Sequence, residues 1–185
     1  MGILLGFAPF ILFALLMSVS VSLALWAAFA AAFAIGIRDF AHSKTLRMLD
    51  VGSAILFGGL ALYTGFIQPS LSLQAVRLVV DGGLFAIAIL SIVLRNPFTL
   101  AYAREQVPSA LWATPLFIRT NYIISAVWAL AFAIMALADA MATANQALPL
   151  SLDVAAGLAA LGLAIIFTVR YPAYVRERAA RATTN

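Results

Sequence analysis

The chain has 185 residues, of which 65% are hydrophobic and 10% charged, with a net charge of +4 and no cysteine. Soluble domains carry about 25% charged residues, so this chain has too little polar surface to clothe a soluble fold, and its outside must face lipid. Disulfides, thiolate metal sites and cysteine nucleophiles are excluded, a single histidine, His42, argues against a His-rich metal or haem site, and the modest positive charge fits membrane topology better than nucleic acid.

The opening run, MGILLGFAPFILFALLMSVSVSLALWAAFAAAFAIGI, lacks a basic flank. It far exceeds the roughly 7–15 apolar residues of a signal-peptide core, so it is read as a retained span over about residues 9–37. Some 29 residues would reach about 43 Å as one helix, long enough to tilt but too short for two spans and a turn. Further spans are expected at about 49–67, 76–94, 118–138 and 152–169, each close to the roughly 20 apolar residues that cross hydrocarbon. Ala and Leu dominate these runs without polar alternation, which excludes strands. The fold class is therefore an all-α integral membrane protein, a single membrane domain over 1–185 with five transmembrane helices.

Orientation follows from the loops. The first connection and its edges hold Arg38, Lys44 and Arg47, the second holds Arg77, and the third holds Arg95, Arg104 and Arg119. The fourth holds none, and the tail holds Arg170, Arg176, Arg178 and Arg181. Ten of the 11 basic residues thus fall on alternate connections and the tail. The positive-inside rule makes these cytoplasmic, with the N-terminus outside and the C-terminus inside. Residues 95–117 become a cytoplasmic interfacial loop and 170–185 a basic cytoplasmic tail.

RNPFTLAYAREQ at 95–106 returns in shorter form as RYPAYVRE at 170–177. Proline removes a helical donor and disfavours helix in the residue before it; arginine snorkels and tyrosine suits the interface. Both copies are expected to end a helix at the cytoplasmic surface. Tyr102, Arg104 and Glu105 correspond to Tyr174, Arg176 and Glu177, an offset of 72 that also pairs Arg47 with Arg119 and Ser53 with Ser125. This suggests a helix-hairpin repeat of spans two and three in spans four and five, of the kind found in transporters, although Ala-rich helices also align by chance.

Small residues let membrane helices approach closely. Ala24, Ala28, Ala32 and Gly36 line span one, and Ala156, Ala160 and Ala164 line span five. Gly52 and Gly59 lie seven apart on span two, and Gly82 and Gly83 open span three. These stripes fit bundle packing or a homo-oligomer face. Asp50 is expected to pair with Arg47, while Asp81, Asp139 and Asp153 are expected at solvated outer helix ends. On span four, Asn121, Ser125, Trp128 and Phe132 share one face, as helix-packing groups or as a contact for a small molecule or lipid headgroup. The candidate partner or lipid contacts are Arg95, Pro97, Tyr102, Arg104, Trp112, Asn121, Ser125, Trp128, Arg170, Tyr174 and Arg176. Tyr102 and Trp112 would lay the third connection on the headgroups, with Arg95 and Arg104 facing anionic lipid. No catalytic, cofactor-binding or metal-binding motif is present: there is no H-E-x-x-H, Walker loop or Gly-x-Ser-x-Gly, so no enzyme activity or cofactor is expected.

FAPFILF at 7–13, LFGGLAL at 56–62, and Pro97, Trp112 and NYIISAVWALAF at 121–132 resemble, in that order, the intracellular septation protein A family of bacterial inner-membrane proteins. Where that family's first span carries charged and tyrosine residues, this chain reads MSVSVS at 17–22. The resemblance implies a multi-pass protein of the bacterial inner membrane that takes part in cell-envelope assembly or division by binding other membrane proteins. Two other functions fit the residues: a small transporter or channel, and an accessory subunit of a larger membrane complex.

Overall fold

The structure is a computed structural model describing residues 5–43, 45–144 and 150–184. Helices α1 (Ala8–Leu16), α2 (Val21–Ser43) and α3 (Met48–Leu62) come first, with a π-turn at Tyr63–Ile67. Then follow α4 (Leu73–Val93), the short α5 (Thr99–Arg104), a 3-10 turn at Ser109–Leu111, α6 (Pro115–Ala144) and α7 (Leu150–Thr184). Among the described residues every regular element is helical. Five stretches are long and apolar enough to cross a membrane: Val21–His42, Met48–Ile67, Leu73–Val93, Pro115–Ala144 and Asp153–Arg181. The chain is an all-α, multi-pass membrane protein.

Large apolar side chains line much of the outside, and small residues are buried beside core residues such as Phe57 and Phe132. Large side chains such as Ile55, Leu158, Leu163 and Val169 are exposed, whereas Ala24, Ala28, Ala32, Ser53, Ser91, Ser125 and Ala164 are buried. Lipid tails solvate Leu and Ile as well as another helix does, so close helix contact falls to small residues.

Hydroxyl side chains set three of the helix starts. Ser20 Oγ accepts the Leu23 N–H at 3.4 Å, Ser72 Oγ the Ala75 N–H at 3.2 Å, and Thr114 Oγ1 the Phe117 N–H at 3.4 Å. Each bond satisfies a backbone donor that has no partner in the first turn. Pro115, next after Thr114, occupies a position where its missing N–H costs nothing. These caps place α4 and α6 three residues earlier than expected from hydropathy, at Leu73 and Pro115.

The chain forms two compact units, Met1–Ile87 and Ala88–Asn185, with the boundary inside α4. In the first unit, the single long span expected over 9–37 is instead two helices. The Ser20 cap breaks the run, and α1 folds back along α2. Its Phe10 and Phe13 rings lie 4.9 and 5.7 Å from the Phe57 ring. Phe57 neighbours Gly58, where an added Cβ would stand 2.9 Å from Phe29 of α2. The start of α1 is therefore level with the middle of α2. Phe13, Leu25, Phe57, Leu60, Val76 and Val80 form the core here, closed by Ala24, Ala28 and Ala61.

The expected α2 stripe is confirmed at Ala24, Ala28 and Ala32. On α3 the packing glycines are Gly52 and Gly58, not Gly52 and Gly59: Ile87 comes within 2.7 Å of a Cβ built at Gly52, while Gly59 and Gly82 face open space. Arg47 places Nη1 2.8 Å from Asp39 Oδ2. Arg38 holds the other Asp39 oxygen through Nε at 3.0 Å and Nη2 at 2.8 Å. Asp39, Arg47 and Asp50 are all buried at this α2–α3 junction.

In the second unit α6 and α7 pack antiparallel, with Met135 against Gly157 near one end and Trp128 bonded to Thr168 further along. Ala160 and Ala164 are buried, as expected. The fifth helix does not end at Arg170, as the Arg-x-Pro rule requires. It continues through Pro172 to Thr184, 35 residues in all, or about 52 Å. Asp139 and Asp153 are buried rather than solvated, and Asp81 is half-buried.

Candidate functional site

The densest polar construction joins the end of α4 to α6. Helix α4 stops in a Schellman turn: Arg95 N–H bonds Ile92 O at 3.0 Å and Asn96 N–H bonds Ser91 O at 2.9 Å. This motif places its next residue in the left-handed region, usually as glycine. Here the residue is Arg95, at φ 57°, the one non-glycine residue with positive φ among those described. A side chain in this conformation costs about 1–2 kcal/mol.

The chain then turns inward. Ser91 Oγ donates to Ala88 O at 2.7 Å and accepts the Phe98 N–H at 3.1 Å. Thr99 Oγ1 lies 3.0 Å from Asn121 O, 3.3 Å from Asn121 Oδ1 and 2.8 Å from Ser125 Oγ. Thr99 has one hydroxyl proton, and the two Asn121 oxygens can only accept. The proton therefore goes to Asn121, and Ser125 donates to Thr99. Thr99 N–H points to Ser125 Oγ at 3.5 Å, and Asn121 Nδ2 donates to Phe117 O at 2.9 Å. Pro97, Phe98, Thr99, Leu100 and Tyr102 are all buried. Irregular backbone at membrane depth is tolerated where protein surrounds it and its polar groups are satisfied, and these bonds meet that condition.

The candidate residues divide accordingly. Asn121, Ser125 and Trp128 share a buried face of α6, as expected. Their polar atoms are engaged internally: Trp128 Nε1 donates to Thr168 Oγ1 at 2.9 Å, and Thr168 donates to Ala164 O at 2.7 Å. Pro97 belongs to this pinned turn. Tyr102, expected at the headgroups, is 1% exposed, so the first part of the interfacial loop lies inside the unit. In the rest of the loop Arg104 is exposed and stands 5.6 Å over the Trp112 ring, whose Nε1 donates to Val107 O at 3.1 Å. Arg170, Tyr174 and Arg176 lie exposed along α7, and Arg176 Nε reaches Pro172 O at 3.2 Å.

Antiparallel packing collects the arginines. Arg119 lies nine residues before Trp128, and Glu177 nine after Thr168, so α6 begins level with the Arg176–Arg178 stretch. Thr99 docks on the second and third turns of α6, which brings Arg95 and Arg104 toward the same end. Sequence reasoning missed Ser91, Thr99 and Thr168. Ser91 is the one polar side chain in the last three turns of α4, and a hydroxyl isolated in an apolar helix signals a required partner. Among the described residues no three acidic or histidine side chains could hold a metal ion. No protein-family model, curated protein or solved structure matches the chain.

Proposed function

We propose that this chain is a non-enzymatic protein of the bacterial inner membrane that takes part in cell-envelope assembly or division by binding other membrane proteins. The observation that supports it is the separation of polar groups in the second unit. Inside, Ser91, Thr99, Asn121, Ser125, Trp128 and Thr168 bond one another or nearby carbonyls. Outside, Arg104, Arg119, Arg170 and Arg176 are exposed toward one end. Polar atoms closed on each other hold the unit together; exposed arginines with an aromatic neighbour are what a partner surface offers.

In this reading the arginine end faces the cytoplasm. A reporter joined after Arg181 then lies inside, and one inserted at Gln68 lies outside. The hairpin repeat, spans two and three echoed in four and five, rests on the sequence offset alone. The test is localisation in dividing bacterial cells. A fluorescent fusion should concentrate at division sites, and the Arg104→Glu, Arg176→Glu double variant should disperse while its membrane level stays normal. An even peripheral distribution of the parent protein, with normal cell length in a deletion strain, would remove this reading.

A further inference from the structure

We propose that the arginine end of the second unit binds the phosphate of anionic phospholipid headgroups, and that the left-handed turn at the end of α4 exists to place Arg95 there. The inference does not depend on which protein the chain binds.

The first observation is the turn. The Schellman geometry would accept glycine without strain, yet it carries the one non-glycine residue with positive φ among those described. Strain of this kind persists where the side chain or its surroundings give something in return. Beyond the backbone bonds of the turn, which glycine would make equally well, nothing inside the protein does so: among the described residues, the Arg95 side chain makes no hydrogen bond, ion pair or ring contact. The return must come from outside.

The second observation is charge. In the first unit Arg38 and Arg47 both engage Asp39. In the second unit the side chains of Arg95, Arg119 and Arg170 make no ion pair or hydrogen bond among the described residues. At this end Arg95, Arg104, Arg119, Arg170, Arg176 and Arg178 stand against two acids, Glu105 and Glu177, and the excess of positive charge calls for an external anion. The third observation is depth. Exposed Val93 and Leu94 precede Arg95, and exposed Val169 precedes Arg170. At both places the surface passes from large apolar side chains to a guanidinium within one or two residues, the step that a bilayer makes from acyl chain to phosphate. Arginine's planar fork matches a phosphate with two parallel hydrogen bonds.

The experiment uses the full chain purified in a neutral maltoside detergent. Thermal unfolding is followed alone, with phosphatidylglycerol, with phosphatidylcholine and with inorganic phosphate. Phosphatidylglycerol should raise the parent's Tm well above the rise with phosphatidylcholine. Arg95→Gly should melt about 2–4 °C higher than the parent in detergent alone, because it relieves the backbone, yet lose at least half of the phosphatidylglycerol-induced rise. Arg95→Lys should keep less of that rise than the parent. Three results would overturn the proposal: the Gly variant keeps the full lipid-induced rise; it melts lower in detergent alone, which makes Arg95 a support of the fold; or inorganic phosphate produces the same rise as the lipid.

Discussion

Arg95-Asn-Pro97 and Arg170-Tyr-Pro172 share a pattern and differ in outcome. At the first, α4 ends and the chain turns into the protein; at the second, α7 runs on through the proline for another twelve residues. Proline is common to both, so proline does not decide. The difference lies in what waits nearby. Beyond Pro97, Ser91 takes the Phe98 N–H, and the Thr99 hydroxyl donates to Asn121 and accepts from Ser125. Around Pro172 the contacts are helical neighbours: Phe167 stacks on Tyr171 at 4.7 Å and Arg176 reaches back to Pro172 O. A helix in a membrane protein leaves its path where other polar groups receive the freed backbone, and a lone proline only makes leaving easier.

Exchanging the prolines is the strongest way to break this comparison. Pro172→Ala restores an N–H to the carbonyl of Thr168 and should strengthen that turn by up to about 3 kcal/mol, read as slower amide hydrogen exchange over residues 168–176. Pro97→Ala should leave the break between α4 and α5 in place. Fusion of the two helices in that variant, seen as exchange protection running through 94–99, would show that proline was the determinant after all.

A smaller effect is expected from Thr99→Val, which keeps the shape and removes the hydroxyl. Asn121 and Ser125 then lose their buried partner, at a cost of about 1–3 kcal/mol. Because the chain has no cysteine, Leu100→Cys is an unambiguous reporter. Its thiol should react slowly with a maleimide in the parent background and faster in the Val background. Equal rates would mean that apolar packing alone holds the turn.

The smallest effect belongs to the exposed half of the first segment. Trp112→Leu removes the ring beneath Arg104, worth about 0.5–1 kcal/mol at an exposed site. Protease cleavage after Arg104 should quicken modestly while global unfolding is unchanged. A large loss of global stability would place Trp112 among the residues that hold the unit together.

Much of this arrangement was legible in the sequence. Five apolar helices, the small-residue stripes at Ala24–Ala32 and Ala160–Ala164, and the shared face of Asn121, Ser125 and Trp128 follow from composition and helical period. The rest depends on local or tertiary partners that hydropathy averages away. Ser20 breaks the first run because its hydroxyl caps a new helix, a signal visible in MSVSVS but outweighed by the apolar residues around it. Tyr102 carries the residue type of an interfacial anchor and is buried because Thr99, one turn earlier, is fastened to α6. Arg47 also reaches Asp39 because α2 and α3 meet there, a contact that spacing along one helix cannot foretell.

The folded-back α1 has a consequence for counting. Nine residues rise about 13 Å, less than half of a roughly 30 Å hydrocarbon core. All nine side chains are apolar, so α1 has no polar face with which to lie along a headgroup layer. Phe7 O accepts the N–H of both Phe10 and Ile11, and Pro9 has none to offer, which limits the bare donors at its start. A helix this short, packed back along α2, adds no crossing. The described residues hold five stretches able to cross with or without it, so the odd number on which the orientation rests is unchanged by the break in the first run.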